Sequence, residues 1–510
     1  MINKVLGTIL RFILTRMSKG RLPQIDGTLK LPGLESTVEV IRDKYGIPHI
    51  YARNEHDLFY AQGFVTAQDR FFQMELNRRT ATGKLGEVFG DIALDTDRVS
   101  RTFGFARIGQ EDWDNADEDL KAIFQAYSDG VNAFLEQGKL PVEFSLLRYK
   151  PELWDPLDSA AFSRVMIWQL SHAWYGEIVR AKLVEAVGAE RAAELEIHYP
   201  EKNPITLPEG IEFNKLSAKG LIKQATGPFL DQGKGSNTWT VSGEKSVTGK
   251  PFLCNDMHLQ LMMPSLWYEC HLSAGDYNVT GVTLPGIPLV MVGHNASIAW
   301  GMTLSYMDIE DLFIEKMNPE NPHQYEYHGE WVNAEVIEET IAVKGRDEPH
   351  IEEILMTKHG PVISEAIGYS KEKLADCSMA LRSNKAFKGW LLLNKTSSWN
   401  EFVEAMSCID APALNVSYAD TAGNTGYWVS GKVPVRGKGD GSVPAPGWTG
   451  EYDWTGFIPF EEMPHALNPE KGFLVNTNHK IVPESYKHFL GNIWMNGYRA
   501  RRIGEVFGCK

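Results

Sequence analysis

The sequence predicts an α+β protein in which a mostly helical N-terminal part precedes a sheet-rich remainder. Apolar residues recur at helical steps from Glu55 to about Leu195, whereas short β-branched and aromatic runs bounded by turn residues dominate from Asn237 onward. Between the two, from Asn203 to Gly235, Gly, Pro and Lys are scattered without any sustained period, which reads as a linker.

Taken in order, TVEVIRDKYGIPHIYA (37–52) reads as two short β runs around a turn at Lys44-Tyr45-Gly46. Leu58, Ala61, Val65, Phe72 and Leu76 then mark a long amphipathic helix, and LKAIFQAYSDGVNAFLEQG and FSRVMIWQLSHAWYGEIVRAKLVEAV continue the helical pattern. The acidic run Glu111–Asp119 reads as a solvated surface. After the linker, NTWTVSG, PFLCND, WYECHLS, YNVTGVTL, PLVMVG and SIAWGM build a large sheet. Further strands are expected at 335–343, 351–357 and 426–429, with helices near 399–407 and 497–507. The glycine-rich 436–447 lacks the Lys-Ser/Thr of a phosphate loop and runs into prolines, so it reads as a surface loop.

At 510 residues the chain can bury about 75% of its unfolded surface and needs no disulfide or metal merely to fold. Its net charge of −15 opposes phosphate backbones and argues against nucleic acid as a partner, leaving a small molecule as the expected ligand. The five cysteines are odd in number, with no C-x-x-C pair, so no zinc ribbon or disulfide framework is indicated. Residues 1–20 combine a basic character with apolar stretches cut short by Arg11 and Arg16, and on a helix Lys4, Thr8, Arg11 and Thr15 line a polar stripe opposite Val5, Ile9 and Ile13. This pattern suits contact with a membrane surface, an export signal or an ordinary packed helix, and the compartment stays open.

There is neither G-x-S-x-G nor H-E-x-x-H, so a nucleophile-elbow hydrolase and a zinc peptidase are both unsupported. The notable feature is the junction GKGSNTW (233–239), where a patternless linker ends in glycine, a serine follows, and a strand starts at once. A plain loop serine is one reading. The other is a peptide bond that cuts itself, leaving Ser236 as a new N-terminus whose α-amine, with an ordinary pKa of about 7.7–8.0, can take the hydroxyl proton.

The blocks VEVIRDKYGIPHIYA, AQGFVTAQDRFFQMELNRRTATGKLGEVFG, GSNTWTVSG, LPGIPLVMVGHNASIAWGMT, DIEDLF, VPAPGWTGEYDWTGFIPFEEMP, FLVNTNH and GYRARRI resemble, in order, the penicillin acylase family of N-terminal nucleophile hydrolases. The resemblance implies an αββα sandwich, a precursor that matures by cutting itself, and hydrolysis of linear amides of β-lactam antibiotics, N-acyl-homoserine lactones or related acylated amines. It further implies cleavage between Gly235 and Ser236, with Ser236 as nucleophile and an α and a β chain that stay together as a heterodimer. Asn478 matches the asparagine that donates to the oxyanion, with the Leu304 N–H as second donor; Arg499 matches the arginine that orients it. His258 stands where cephalosporin and homoserine-lactone acylases carry histidine and penicillin G acylases glutamine, and is expected to bond the Ser236 amine.

The same resemblance implies one structural calcium ion held by oxygen ligands among Glu177, Asp308, Glu310 and Asp311, with a carbonyl near Gly441. The expected organisation is a basic segment 1–36, a helical part 37–202, a spacer 203–235 removed on maturation, and a part 236–510 with the nucleophile and the sheet. Compared with the family, the chain is expected to be C-terminally truncated. A non-catalytic pseudo-acylase, or a fragment unable to mature, is therefore the alternative. Met262, Met263 and Trp267, after His258, are either core or acyl pocket.

Overall fold

The long helix Glu55–Thr82 begins where Asn54 accepts the Asp57 N–H at 2.7 Å and ends at Gly83, whose φ of 61° lets it close the last turn. It is buried on nearly every side because it lies between a sheet and other helices. Helix Glu118–Glu136 crosses it at two glycines. A Cβ on Gly63 would lie 2.0 Å from the Tyr127 carbonyl oxygen, and one on Gly130 1.8 Å from that of Tyr60. The two backbones touch, which is why both positions lack a side chain.

The computed structural model describes residues 2–171, 174–195, 199–200, 202–207, 235–369 and 371–508. Its central element is a nine-stranded sheet that runs from Glu39–Arg42 through Pro48–Ala52, Tyr268–Ala274, Tyr277–Thr283, Val292–Asn295, Ile298–Leu304, Leu414–Asp420 and Thr425–Ser430 to His465–Leu467. The pairing of Pro48–Ala52 with Tyr268–Ala274 is parallel, with His49 opposite His271, so a strand from the N-terminal part is built into the sheet of the later part. One face of this sheet packs on helices Glu55–Thr82, Ala386–Lys395 and Trp399–Ser407 through an apolar core that includes Phe59, Trp300, Leu393 and Val416.

On the other face lies a second sheet of three strands, Phe473–Asn476, Gly235–Val241 and Phe252–His258, against Ile298–Leu304 and Leu414–Asp420. Helix Tyr498–Gly508 packs on Phe473–Asn476 and completes the order helix, sheet, sheet, helix. The protein is thus α+β with the expected layering.

Three expectations need correction. The acidic run is not wholly solvated: Asp112 is buried and pairs with the fully buried Arg164, which offsets the cost of burying either charge. The glycine-rich 436–447 is more than a surface loop, since Pro434–Arg436 pairs with Trp454–Phe457 and Ala445–Pro446 runs parallel to Glu310–Glu315. Met262 and Met263 are exposed and belong to no core. Of the expected spacer, residues 208–234 lie outside the described residues; Thr206 and Leu207 donate their N–H groups to the carbonyls of Lys480 and Ile481 at 3.1 and 3.0 Å.

Gly130→Ala should push the crossing helices apart and lower stability by about 2–3 kcal/mol in urea unfolding. Gly504→Ala, where a Cβ meets nothing within 4 Å, should instead leave stability unchanged or raise it by up to about 1 kcal/mol. Equal effects at the two sites would contradict the close crossing.

Candidate active site

Register sets the site. Gly235 pairs with His258, Ser236 with Met257 and Asn237 with Asp256 across two antiparallel strands, so His258 lies directly opposite the Gly235–Ser236 junction. On the other side, the chain leaves Phe473–Asn476 and turns at Asn478, whose φ of 62° is a left-handed conformation that asparagine tolerates better than most residues. The turn brings its side chain back to the junction. There Asn478 Oδ1 accepts the Ser236 N–H at 2.5 Å and an Arg499 Nη2 hydrogen at 3.1 Å, while Nδ2 donates to the Leu304 carbonyl at 2.8 Å. These partners fix which end of the amide is oxygen.

Arg499, in the first turn of helix Tyr498–Gly508, also donates to the carbonyls of Ser236 and Thr477 at 2.7 and 2.6 Å and to Asn237 Oδ1 at 2.7 Å. All four acceptors are neutral, so its charge stands close to the Ser236 backbone without a carboxylate in contact. Burial pulls its pKa below the ordinary arginine value, with Tyr306 and Asp256 opposing. His258 Nε2 lies 2.7 Å from Asp256 Oδ2, and hydrogen bonding to His258 is the main reason that Asp256 sits below the usual carboxylate range. A Cβ placed on Gly235 would fall 3.4 Å from both Arg499 Nη2 and His258 Nδ1 and 3.5 Å from Asn478 Oδ1. The residue before Ser236 therefore sits inside a ring of the three side chains singled out in the sequence.

Leu304 contributes its carbonyl to Asn478. Its N–H faces away from Leu414–Asp420, because Ser305 N–H bonds Ala413 and successive ladder groups alternate in direction. Leu304, Gly235 and Ser236 line a cleft of about 90 Å³ whose walls are mainly apolar, among them Met166, Leu170, Met257, Trp267, Met302 and Phe387. Met166 and Leu170 come from the N-terminal helices and the rest from the later part, so both parts build the cleft. Among the described residues no Lys, Arg or His lines it; Asp112, Ser163 and Asn384 add polar groups.

The penicillin amidase family profile matches residues 37–508. The chain belongs to the penicillin amidase family. It is 33% identical over 502 residues to the penicillin acylase 2 proenzyme of Pseudomonas sp. (strain SE83), covering 95% of this chain and 64% of the relative. It is 32% identical over 511 residues to the acyl-homoserine lactone acylase QuiP of Pseudomonas aeruginosa, covering 96% and 60%. A solved structure, the thermostable penicillin G acylase from Alcaligenes faecalis, superposes with a TM-score of 0.48 at 28% identity over 54% of this chain and 49% of that one. The chain spans a little over three-fifths of the length of the two sequence relatives.

Several residues of this family member that hold the site together carry no recognised signal in the sequence. Asn255 donates to the carbonyls of Asn237 and Met302 at 2.8 and 2.9 Å and accepts the Met302 N–H at 3.0 Å, clamping one sheet to the other. Asn476 Oδ1 accepts the Thr303 hydroxyl at 2.6 Å and the Asn478 N–H at 3.0 Å, and Asn415 donates to Thr303 Oγ1 at 3.0 Å. His479 accepts the Thr477 N–H at 3.2 Å, and burial, aided by Lys471 and Arg499, lowers its pKa to about 3, so it stays neutral. The alternation of asparagines in VNTNH is the one trace of this network in the sequence.

The expected calcium ligands form one buried group, separate from Ser236. Glu177 accepts the Leu312 N–H with both oxygens, and Glu310 accepts the Trp174 N–H at 2.8 Å. Asp308 and Asp311 lie against the Arg436 guanidinium at 3.1 and 2.7 Å, and the Gly441 backbone crowds Asp311. Burial pushes Asp308 up to about 7 and Glu177 and the adjoining Asp376 well above the carboxylate range. The donors are all oxygen and outnumber the guanidinium, which is the chemistry a hard cation takes. Among the described residues, however, no three acidic, His or Cys side chains converge on one point.

Proposed function

We propose that the chain is an N-acyl amide hydrolase that matures by cutting the Gly235–Ser236 bond and then uses Ser236 as nucleophile. The observation that carries this reading is the ring of Asn478, Arg499 and His258 around that bond at the mouth of an apolar cleft. With Asp256 accepting from Nε2–H, the neutral His258 ring keeps its Nδ1 lone pair on the Gly235 side, positioned to take the hydroxyl proton. Ser236 Oγ would attack the Gly235 carbonyl carbon, the amide nitrogen would take a proton and leave as the new α-amine, and water would hydrolyse the resulting ester.

In the mature site the free amine accepts the Oγ proton and Oγ attacks the substrate amide carbon. The oxyanion forms against the second Asn478 Nδ2 hydrogen and the Leu304 N–H, and the proton passes to the leaving amine. Water then hydrolyses the acyl ester. Arg499, held by neutral acceptors only, disfavours protonation of the amine and so keeps it a base near neutral pH.

The relatives are named for penicillins and for acyl-homoserine lactones. For this chain the substrates we propose are linear amides of such compounds, or of related acylated amines, whose acyl group is apolar and uncharged. A cleft with Asp112 in its lining and no cation among the described residues that line it offers a carboxylate-tipped acyl chain no partner for its charge. Calcium, when bound, would be held by Glu177, Asp308, Glu310, Asp311 and the Gly441 carbonyl, linking the helical part to the sheet part without touching the reacting carbonyl.

Expression should yield fragments of 235 and 275 residues by intact mass, or a shorter first fragment if the spacer is trimmed from about Leu216. Ser236→Ala should remain one chain. A folded wild-type chain that stays uncut would favour the non-catalytic alternative. On cleaved protein, Asn478→Ala should lower kcat by roughly 10²–10³ with little change in KM. Full activity in that variant would remove Asn478 from the oxyanion site.

In a panel of acyl amides, hexanoyl or phenylacetyl substrates should exceed glutaryl ones by about 10² in kcat/KM, since burying an unpaired carboxylate is costly. Equal rates would refute an uncharged acyl pocket.

Chelation should lower the melting temperature by at least about 2 °C, and Asp311→Ala should abolish that response. An elemental analysis without calcium, together with melting indifferent to chelator, would overturn the metal assignment.

A further inference from the structure

Helix Ile2–Lys19 belongs to neither core of the molecule. Its contact with the body runs through helix Val142–Leu147, and just beyond its end Arg21 donates to Ser145 Oγ at 2.6 Å and Gln68 to the Gln24 carbonyl at 3.2 Å. Large apolar side chains along this segment remain in the open: Phe12 is 67% exposed, Leu22 65%, Ile25 61% and Leu10 56%. Leu146, on the helix it touches, is exposed as well. Exposed apolar side chains such as Leu10 and Ile13, on one side of a helix of a charged protein, call for a partner.

The charge around the strip says which partner. Residues 1–25 contain Lys4, Arg11, Arg16, Lys19 and Arg21 and no acid, in a chain whose net charge is −15. Arg11, Arg16 and Lys19 are exposed beside the apolar side chains. At the α-helical repeat Arg11, Thr15 and Ser18 share one side, while Leu10, Ile13 and Met17 share another. No helix of the described residues is long and apolar enough to cross a membrane. A basic polar side next to an apolar one, too short to span, is the pattern of a helix lying in the headgroup region of a bilayer.

We propose that residues 2–25 dock the protein on an anionic lipid surface, with Leu10, Ile13 and Met17 toward the acyl chains and Arg11 and Arg16, on the two edges of that strip, at the phosphates. The occupant is a bilayer and not an acidic protein groove, because cations flank both edges of one apolar strip as a headgroup layer requires. The negative body is then repelled by the same surface, which leaves this segment as the contact and keeps the cleft in water.

The test is co-sedimentation of the full chain with vesicles of phosphatidylcholine alone and with phosphatidylglycerol added, at low and high salt. Binding is expected only to the anionic vesicles and should weaken with salt. Arg11→Glu combined with Arg16→Glu, and separately Ile13→Glu, should each reduce it by about tenfold or more. Both variants lie outside the folded cores, and circular dichroism and melting should match the wild type. A wild type left in the supernatant with both vesicle types overturns the proposal, as does binding unaffected by either variant. So does a mature protein found by intact mass to lack residues 1–20, since the segment would then serve export.

Discussion

The two sheets of this protein meet across a polar seam, and everything at the junction follows from the need to satisfy it. Thr238, Thr303, Asn415 and Asn476 are all buried between the layers. A buried donor or acceptor left unpaired costs about 1–3 kcal/mol, which favours the arrangement seen, in which Thr303, Asn415 and Asn476 bond one another and Thr238 donates to the Cys254 carbonyl. Asn255 and Asn476 each bind two elements at once, which fixes strand Gly235–Val241 against Ile298–Leu304. An apolar interface of the same area would hold the sheets together but would let them slide, since dispersion has no direction. The directional hydrogen bonds of the seam set the position of one sheet on the other.

That constraint reaches the junction through two short links. Asn478 hangs from Asn476 by one turn of backbone, and its amide is held at the oxygen end by Ser236 and Arg499 and at the nitrogen end by Leu304. The ladder register puts His258 across from Gly235, with Asp256 two residues away on the same strand to hold the ring. Glycine at 235 follows from this crowding, since a side chain there would enter the space between His258, Asn478 and Arg499.

How much of this was legible in the sequence depends on whether a signal is local. The helix from Glu55, the strand pair at 37–52 and the strand after Ser236 carry periodicity or turn chemistry of their own, and they appear where expected. Strand Leu414–Asp420 was missed although Leu414 to Tyr418 alternate apolar and polar residues; its polar side, with Asn415 and Ser417, is buried rather than solvated. Asp112 was misread because its partner Arg164 is 52 residues away, and no run of acids reveals a distant guanidinium. Ser236, Asn478, Arg499 and His258 were found through family blocks rather than through spacing. Asn255, inside a strand that read as ordinary, and Asn415, inside the missed one, were not found at all.

The division of labour between the two parts bears on what a cut at residue 235 would do to the fold. Ser236, His258, Asn478 and Arg499 all lie after it, whereas Met166 and Leu170 in the cleft wall lie before it. Separation of the pieces would therefore dismantle the cleft while leaving Ser236, His258, Asn478 and Arg499 on one piece. The architecture prevents this in three places. Pro48–Ala52 is an internal strand of the nine-stranded sheet, helix Glu55–Thr82 is buried against that sheet, and Thr206 and Leu207 are bonded to Lys480 and Ile481. To leave, the N-terminal piece would have to expose both its own apolar face and the face it covers. Cutting one peptide bond releases none of that burial, so the chain can lose its continuity at 235 and keep its structure.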